Sequence, residues 1–311
     1  MDTTMWDAII VGGGAAGLSA GVVLARARFA TLVVDGGAPR NDPAAHMHGY
    51  LTRDGMAPSA FIATGRDEFT AYGGTLVSGT VTAARHDGGG FELRLDDGRA
   101  LRSRSVLVAT GLTDELPGIP GLRERWASRV HHCPHCHGHE VRGRAIAVIG
   151  GALAAASAHQ AALLRRHSDS VTFCVNGAEA GEDRLRRLAA YGVRVIDERV
   201  TAVTEGTGSP VAVVLGNGET IPCDAVFVAP RPKPHDAVPA MLGAARDPAT
   251  GLIAVDARGA TSVPGLWAAG NVVDPRAQVV AAAGAGCTAA IAVSAWLLDR
   301  ELTAAVEGAL R

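Results

Sequence analysis

Short unbroken apolar runs alternate with stretches of helical period along this chain. That is the pattern of parallel strands buried on both faces and joined by helices. Ala8-Ile9-Ile10-Val11 is the first such run, and Gly12-Gly13-Gly14-Ala15-Ala16-Gly17 follows it directly. Leu18 to Arg28 has helical character, and Thr31 to Val34 predicts a second buried strand that ends in Asp35. Ala60 to Tyr72 predicts a helix. The alternating segments from Gly79 to Leu101, broken by Gly88-Gly89-Gly90 and Asp97-Gly98, predict a hairpin or meander. Ser105 to Val108 predicts another buried strand, closed by Ala109-Thr110-Gly111.

The pattern then restarts. Pro117 to Gly121 reads as a linker, Ala145 to Ile149 as a strand, the stretch to about His167 as a helix, and Ser170 to Val175 as a further strand. Val193 to Ile196, Ala212 to Leu215 and Ala225 to Val228 supply more strands, and Pro230 to Pro234 reads as a second linker. Ile253 to Val255 and Gly265 to Asn271 return to the style of the first section, and a helix over Val279 to Leu298 follows. The expected fold class is α/β, with two Rossmann-like dinucleotide-binding domains. One is discontinuous, over 1–116 and 241–311, and the other is inserted into it over 117–240. Val279 to Leu298 is uncharged and long enough to span a bilayer, but Gly284, Gly286, Thr288 and Ser294 interrupt it, so a buried helix is the expectation.

Composition narrows the function classes. The chain has 311 residues, 48% hydrophobic and 19% charged, which describes a globular protein with a large core. With 29 basic against 31 acidic residues and no basic run, nucleic acid is not an expected partner. Five cysteines are too few for a secreted disulfide scaffold, and Cys174, Cys223 and Cys287 lie in apolar surroundings that suit core residues. The N-terminal residues lack the basic start of a signal peptide, so no membrane partner and a cytoplasmic location are expected.

The first glycine string carries a mechanism. Strand, Gly12-x-Gly14-x-x-Gly17, helix, strand and acid form a dinucleotide-binding unit, in which the glycines let the backbone approach a pyrophosphate lying on the helix N-terminus. Asp35 falls 35 − 14 = 21 residues beyond the second motif glycine, near the spacing of about 20 for a ribose ligand. In the loop that follows, Arg40 and Asn41 are available to touch a cofactor. The second unit is altered. Ala152 stands where Gly-x-Gly-x-x-Ala needs its second glycine, and the loop after Val175 offers no arginine for an NADP 2′-phosphate.

The densest chemistry lies at Val130-His131-His132-Cys133-Pro134-His135-Cys136-His137-Gly138-His139-Glu140. Two thiols two residues apart can reach each other within one turn and cycle between dithiol and disulfide. Pro134 suits the first position of a helix, which would put Cys133 at its positive end, where a thiolate is favoured. Cys-x-x-Cys-His also matches a c-type haem attachment sequence, the cluster has the ligand types for zinc, and a buried inert pair is the plain alternative. Redox chemistry is the leading reading. His137 is the candidate base, since imidazole titrates near working pH, while His131, His132, His135 and His139 are not ranked by sequence.

These motifs together resemble the low-molecular-weight thioredoxin reductases, a family of two-domain flavoproteins, over essentially the whole chain. Gly12-x-Gly14-x-x-Gly17, Ala109-Thr110-Gly111, Cys133-x-x-Cys136 and Ala269-Gly270-Asn271 with Gln278 carry the resemblance. It implies FAD in the first domain. The pyrophosphate would lie on Gly12 to Gly17, including Ala15 and Ala16, the ribose on Asp35, and the flavin near Asn41, Asn271 and Gln278. Gly36, Arg40, His48, Val81, Ala109, Thr110, Gly111, Gly270 and Val279 complete the implied contacts. A homodimer is implied too. Family reductases carry an acid after the second cysteine and an intact NADPH loop with a following His-Arg-Arg run. Here His137 replaces the acid, and both NADPH features are degraded. The Cys-Pro-x-Cys-His-Gly-x-Glu form is similar instead to the dithiol oxidase branch, which closes disulfides of natural products such as holomycin, gliotoxin and romidepsin. That likeness implies a small-molecule dithiol as substrate and electrons passing through Cys133–Cys136 to FAD and then to O2, giving hydrogen peroxide. An NADPH-dependent disulfide reductase and a non-catalytic flavoprotein that sequesters a dithiol are the alternatives.

Overall fold

The computed structural model describes residues 4–309. It divides into two compact units, Met1–Thr113 with Lys233–Arg311, and Asp114–Pro232.

In the first unit, β1 (Met5–Val11), β2 (Thr31–Asp35) and β3 (Thr75–Ser78) pair as parallel strands in the order β3-β2-β1, connected through α1 (Ala15–Arg26) and α2 (Pro58–Ala71). β4 (Val81–His86), β5 (Phe91–Leu95) and β6 (Ala100–Val108) form the expected meander. β6 has two roles. Its first half pairs antiparallel with β5, and Arg102 to Val108 runs parallel to β1, so one strand joins the meander to the nucleotide-binding half. β17 (Leu266–Ala268) pairs parallel with the second half of β6. The unbroken apolar runs are buried because helices cover one face and the meander with its loops the other: Ile10, Val33 and Leu107 pack toward α1, and Ile9, Val34 and Val106 toward Leu93 and Leu95.

The last helix, α7 (Val279–Ala309), lies against α1. The two backbones meet closely: a Cβ built on Gly286 would come within 2.0 Å of the Ala16 carbonyl oxygen. α7 is long and apolar enough to cross a membrane. Ala283, Ala290, Val293 and Leu297 are buried, but Ile291, Leu298, Leu302 and Val306 are exposed, so the helix buries one face and not its whole circumference as expected.

In the second unit, β8 (Val130–His131), β9 (Ile146–Ile149), β10 (Val171–Cys174), β11 (Arg194–Ile196) and β15 (Ala225–Val228) make a parallel sheet in the order β11-β10-β9-β15-β8. α3 (Pro134–His137), α4 (Ala154–Leu164) and α5 (Glu182–Ala190) belong to this unit, as does an antiparallel sheet of β12 (Val200–Thr204), β13 (Val211–Leu215) and β14 (Thr220–Cys223).

Three sequence expectations shift. Pro117 to Gly121 is not a linker but a packed segment: Val203 donates to the Pro120 oxygen at 2.8 Å, and Gly121 has no room for a Cβ beside the Val203 carbonyl. The chain passes between the units in β7 (Leu112–Glu115) and returns in β16 (Arg231–Pro234), which pair as a two-stranded ribbon. The return crossing therefore falls at 232/233 and not 240/241. Proline suits such a ribbon, where half of the N–H groups need no sheet partner. Ile253 to Val255 forms only an isolated bridge, Arg246 with Ile253, and α6 (Ala237–Met241) precedes it.

The Gly286–Ala16 contact generates a stability prediction. Gly286→Val places a side chain against backbone that cannot yield, and such overpacking is destabilising by about 2 kcal/mol or more. The urea midpoint should fall accordingly. An unchanged midpoint would show that α7 can move off α1.

Candidate active site

The cradle in the first unit follows from close backbone contacts. A Cβ on Gly12 would lie 2.3 Å from the Ala109 oxygen, and one on Gly17 would lie 1.8 Å from the Gly12 oxygen. Gly12 also takes φ 112°, open to glycine. Gly14, by contrast, has nothing within 4 Å of its added Cβ and caps α1 with no side-chain hydrogen bond. The first N–H groups of α1 are thus presented to open space, with no acid in the first turn to oppose an anion. Ala16 is buried against Gly270, whose φ is 78°, and against Gly286, so α1, Gly270 and α7 converge behind the loop.

Asp35 sits at the end of β2. Its Oδ1 accepts from the Gly13 and Gly37 N–H groups, each at 3.2 Å, and its Oδ2 is held by the Arg66 guanidinium of α2. The carboxylate and Arg66 line a cavity of about 380 Å³ with Gly36, Ser78, Gly79 and Thr80, walled by Asp96. Asp96 fixes this wall by accepting from the Thr80 N–H at 3.1 Å. These residues fit the adenosine end of a dinucleotide: a glycine cradle, a carboxylate for the ribose and an open groove beside it.

The remaining expected contacts fall into two groups. Arg40 donates to the Pro275 oxygen at 3.0 Å, and Asn271 donates to Asp274 and Ala277 oxygens at 2.9 and 3.0 Å, so both brace the loop that leads into Gln278 and Val279 at the start of α7. Asn41 is in the turn that closes on Ala44. Thr110 donates to the His235 oxygen at 2.6 Å and accepts from the His235 ring, and Gly111 accepts from the His235 N–H, so this pair anchors the returning chain. His48 faces Asp54 at 3.3 Å in a surface loop. Val81 is the first residue of β4, one position beyond the cavity wall at Thr80.

The altered loop in the second unit behaves differently. Gly150 is tight, since its added Cβ would meet the Val175 oxygen at 2.2 Å. Asn176, at φ 54°, donates to the Gly150 oxygen at 3.0 Å and accepts from the Val200 N–H at 2.9 Å. Its side chain therefore ties the end of β10 to the loop and to β12, at the place where a dinucleotide-binding strand offers its ribose-binding acid. One cation near this loop lies outside the local sequence. No arginine lies in the loop after Val175, but Arg199 folds back so that its guanidinium would be 2.8 Å from a Cβ on Gly177. Its distance along the chain hid it.

The dithiol turn is built on the tip of β8. Val130 pairs with Val226 and His131 with Phe227, which fixes the chain before it turns away. Cys133 caps α3, and the N–H groups of Cys136 and His137 donate to its carbonyl at 3.1 and 3.0 Å. Cys133 and Cys136 form a disulfide with Cα atoms 5.2 Å apart, within the usual range. With the sulfurs bonded to each other, neither is a thiolate ligand for zinc or a thioether to haem. α3 is a single turn of four residues, so the expected stabilisation of a Cys133 thiolate by a helix dipole has little helix behind it.

Aromatic rings surround this turn. His131 and His137 stack at 4.3 Å, Phe227 lies 5.4 Å from His131, and Trp126 stacks on His132 at 5.6 Å. Gln160 of α4 donates to the His132 and Val228 oxygens, joining the turn to the tip of β15. Burial, and then the neighbouring His137, His132 and Arg129, push the His131 pKa down to about 3. His131, Gln160, Arg66, Asp96, Asn176 and Arg199 are the site residues that the motifs did not single out. A larger cavity of about 490 Å³ between α4 and α5, lined by His159, Arg184, Arg187 and Tyr191, shares no residue with either site.

With this geometry, a family model described as pyridine nucleotide-disulphide oxidoreductase matches residues 6–286. The chain belongs to that family. It is an oxidoreductase of thioredoxin reductase-like fold. The crystal structure of HlmI superposes with a TM-score of 0.93 at 45% identity, over 99% of this chain and 97% of that one. An oxidoreductase from Agrobacterium tumefaciens superposes with a TM-score of 0.88 at 37% identity, over 95% of this chain and 99% of its own. Thioredoxin reductase aclD of Aspergillus oryzae is 33% identical over 230 residues, 71% of this chain and 73% of its length.

Desolvation in an apolar core sets Cys174 and Cys223 apart from the disulfide pair. Cys174 and Cys223 are buried and their pKa values are pushed up to about 12, mainly by desolvation, so both remain neutral thiols at pH 8. Cys287 is half-buried and not a full core residue as expected. After mild reduction, iodoacetamide at pH 8 should modify Cys133 and Cys136 at least tenfold faster than Cys174 or Cys223, as read by peptide mass spectrometry. Equal labelling of the folded protein would contradict the desolvation argument.

Proposed function

We propose that this oxidoreductase is an FAD-dependent dithiol oxidase that closes an intramolecular disulfide in a small molecule. The observation that carries the reading is the disulfide turn Cys133–Cys136 followed at once by His137, in a unit whose own dinucleotide loop has Ala152 and a committed Asn176. The likeness to HlmI and to thioredoxin reductases supports it. A substrate thiolate attacks Cys133, and Cys136 leaves as a thiolate. The substrate's second thiol then displaces Cys133, giving the cyclic disulfide and a reduced protein pair. His137 takes the thiol proton as the attacking sulfur forms and returns it to the departing one. Bound FAD would accept the electron pair from the reduced cysteines and deliver it to O2, giving hydrogen peroxide. In the first unit, the α1 N-terminus would hold the pyrophosphate and Asp35 the ribose, while Asn271 and Arg40 brace the loop that leads into Gln278. A homodimer is the assembly that accompanies this reading.

Arg199 beside Gly177 favours a second reading, an NADPH-dependent disulfide reductase, because a guanidinium there is the usual partner of a 2′-phosphate. The two readings differ in the electron source. Under the first, a model dithiol reduces the flavin and consumes O2 with equal peroxide, while NADPH does so at least a hundredfold more slowly. Rapid flavin bleaching by NADPH alone selects the reductase. Cys133→Ser and Cys136→Ser should each abolish turnover and leave FAD bound. A dithiol that binds stoichiometrically with no peroxide would leave only the sequestering role.

The Arg66–Asp35 contact predicts a binding effect. Arg66→Met removes the partner that orients the ribose carboxylate, and a charge-assisted contact of this kind is worth about tenfold in affinity. FAD titration by flavin fluorescence should show that loss, with Arg66→Lys recovering part. An unchanged dissociation constant would remove Arg66 from the site.

A further inference from the structure

His131 is a buried group that the proposed cycle leaves unused. It is 8% exposed and packed between the rings of Phe227 and His137. Its Nδ1 has no hydrogen-bond partner among the described residues. A buried polar atom left this way is destabilising, and phenylalanine would fill a slot between two rings without that penalty. The chain keeps an imidazole there nonetheless, two residues before Cys133 and stacked on the residue that follows Cys136. Gln160 Oε1, from the side chain that clamps the same turn, is also a buried polar atom without a partner.

Both atoms are idle in the oxidised form, where the two sulfurs are bonded to each other and are weak hydrogen-bonding groups. Reduction changes that. The S–S bond breaks, two electrons enter, and the sulfurs take up one proton, so that a thiolate and a thiol replace the disulfide. Cys133 is 8% exposed, so a charge appearing there has little water to solvate it. Such a thiolate needs a donor.

We propose that His131 is a hydrogen-bond donor held in reserve for the reduced pair: its Nδ1–H, unpartnered in the oxidised form and carried two residues before Cys133, is satisfied by the thiolate that reduction creates. The inference rests on the thiol–disulfide cycle proposed above. It makes the oxidised state carry the unpaired nitrogen and the reduced state carry the hydrogen bond, which shifts the couple toward reduction. A disulfide tuned this way is a stronger oxidant of an incoming dithiol. The groups facing His131 agree with a neutral donor. Arg129, His132 and His137 oppose a charge on it, Phe227 of β15 is apolar, and α4 offers the uncharged Gln160. With its pKa near 3, the ring stays neutral at working pH and does not compete with His137 for the substrate's proton.

The test is the equilibrium of the FAD-loaded protein with glutathione buffers under argon, the cysteine pair being read by alkylation and mass spectrometry. His131→Phe should shift the equilibrium constant at least tenfold toward the disulfide, about 30 mV for a two-electron couple. His131→Asn, whose amide N–H can stand near the position of Nδ1, should stay within threefold of wild type. The melting temperature of oxidised His131→Phe should rise, and that of its reduced form should fall. If phenylalanine prevents folding, His131→Leu gives the same reading. An unshifted constant in the folded His131→Phe or His131→Leu protein, or an asparagine variant that behaves like phenylalanine, overturns the inference. A wild-type pair that does not exchange with glutathione at any ratio ends the cycle itself, which is a different failure.

Discussion

The dithiol site depends on two paired residues. Val130 with Val226 and His131 with Phe227 attach β8 to the edge of the parallel sheet, and the chain leaves that edge straight into the Cys133 turn. Parallel sheets present loops at the carboxyl ends of their strands, which is where α/β folds place ligand chemistry. Here the carboxyl end of β8 carries the disulfide and the carboxyl end of β15 carries Phe227 and Val228, both of which touch the site through His131 and Gln160. Without that short pairing the histidine stack would have no floor, and the Gln160 clamp would have no second carbonyl to hold. A two-residue strand is weak alone, so the clamp from α4 is part of what keeps it in place.

The two glycine loops show how the same topology is put to different ends. In the first, Gly12 and Gly17 are consumed by backbone contacts, while Gly14 stays open toward the α1 N-terminus. In the second, Gly150 is consumed in the same way and Gly151 is open, but Ala152 adds a methyl group and Asn176 fills the strand end with its own hydrogen bonds. Asn176 spends one amide N–H and one lone pair on backbone groups and, being neutral, is a weaker acceptor for ribose hydroxyls than the acid usual there. The second loop is thus internally satisfied, whereas the first leaves donors directed outward. Arg199 is the exception, a cation held close to the altered loop from another part of the chain.

Most of the fold was legible because the buried strands are nearly pure apolar runs. Ala8–Val11, Thr31–Val34, Ile146–Ile149 and Ala225–Val228 allow no other reading in a chain with glycine turns at their ends. The meander was legible from its turns. The proline segments misled for a physical reason: Pro117 to Gly121 and Pro230 to Pro234 look like flexible connections, yet the first packs on β12 and the second is paired ribbon. At the site, local motifs found the residues whose role depends on spacing, namely Gly12 to Gly17, Asp35, Cys133 and Cys136. They missed Arg66, Asn176, Arg199 and Gln160, which reach their partners across 22 to 31 residues or more and leave no local signal. His131 was in view but not separable from its neighbours, because the five histidines of the turn differ in burial and not in spacing.

The surroundings of each sulfur settle which of them take part in chemistry. Cys174 and Cys223 lie in the core of the same unit that carries the disulfide, and desolvation holds both as neutral thiols. Cys133 is nearly as inaccessible by area, yet it caps a turn lined with imidazoles and amide groups and is not packed among valines and leucines. Exposure alone does not distinguish the two kinds of cysteine. The difference is what surrounds each sulfur when it becomes charged: apolar side chains cannot compensate a thiolate, whereas polar groups already in place can do so without reorganisation. A redox pair can therefore be shielded from solvent and remain reactive, provided its polar neighbours tolerate being unpaired while the sulfurs are bonded. His131 and the half-used Gln160 are polar groups of that kind in this turn.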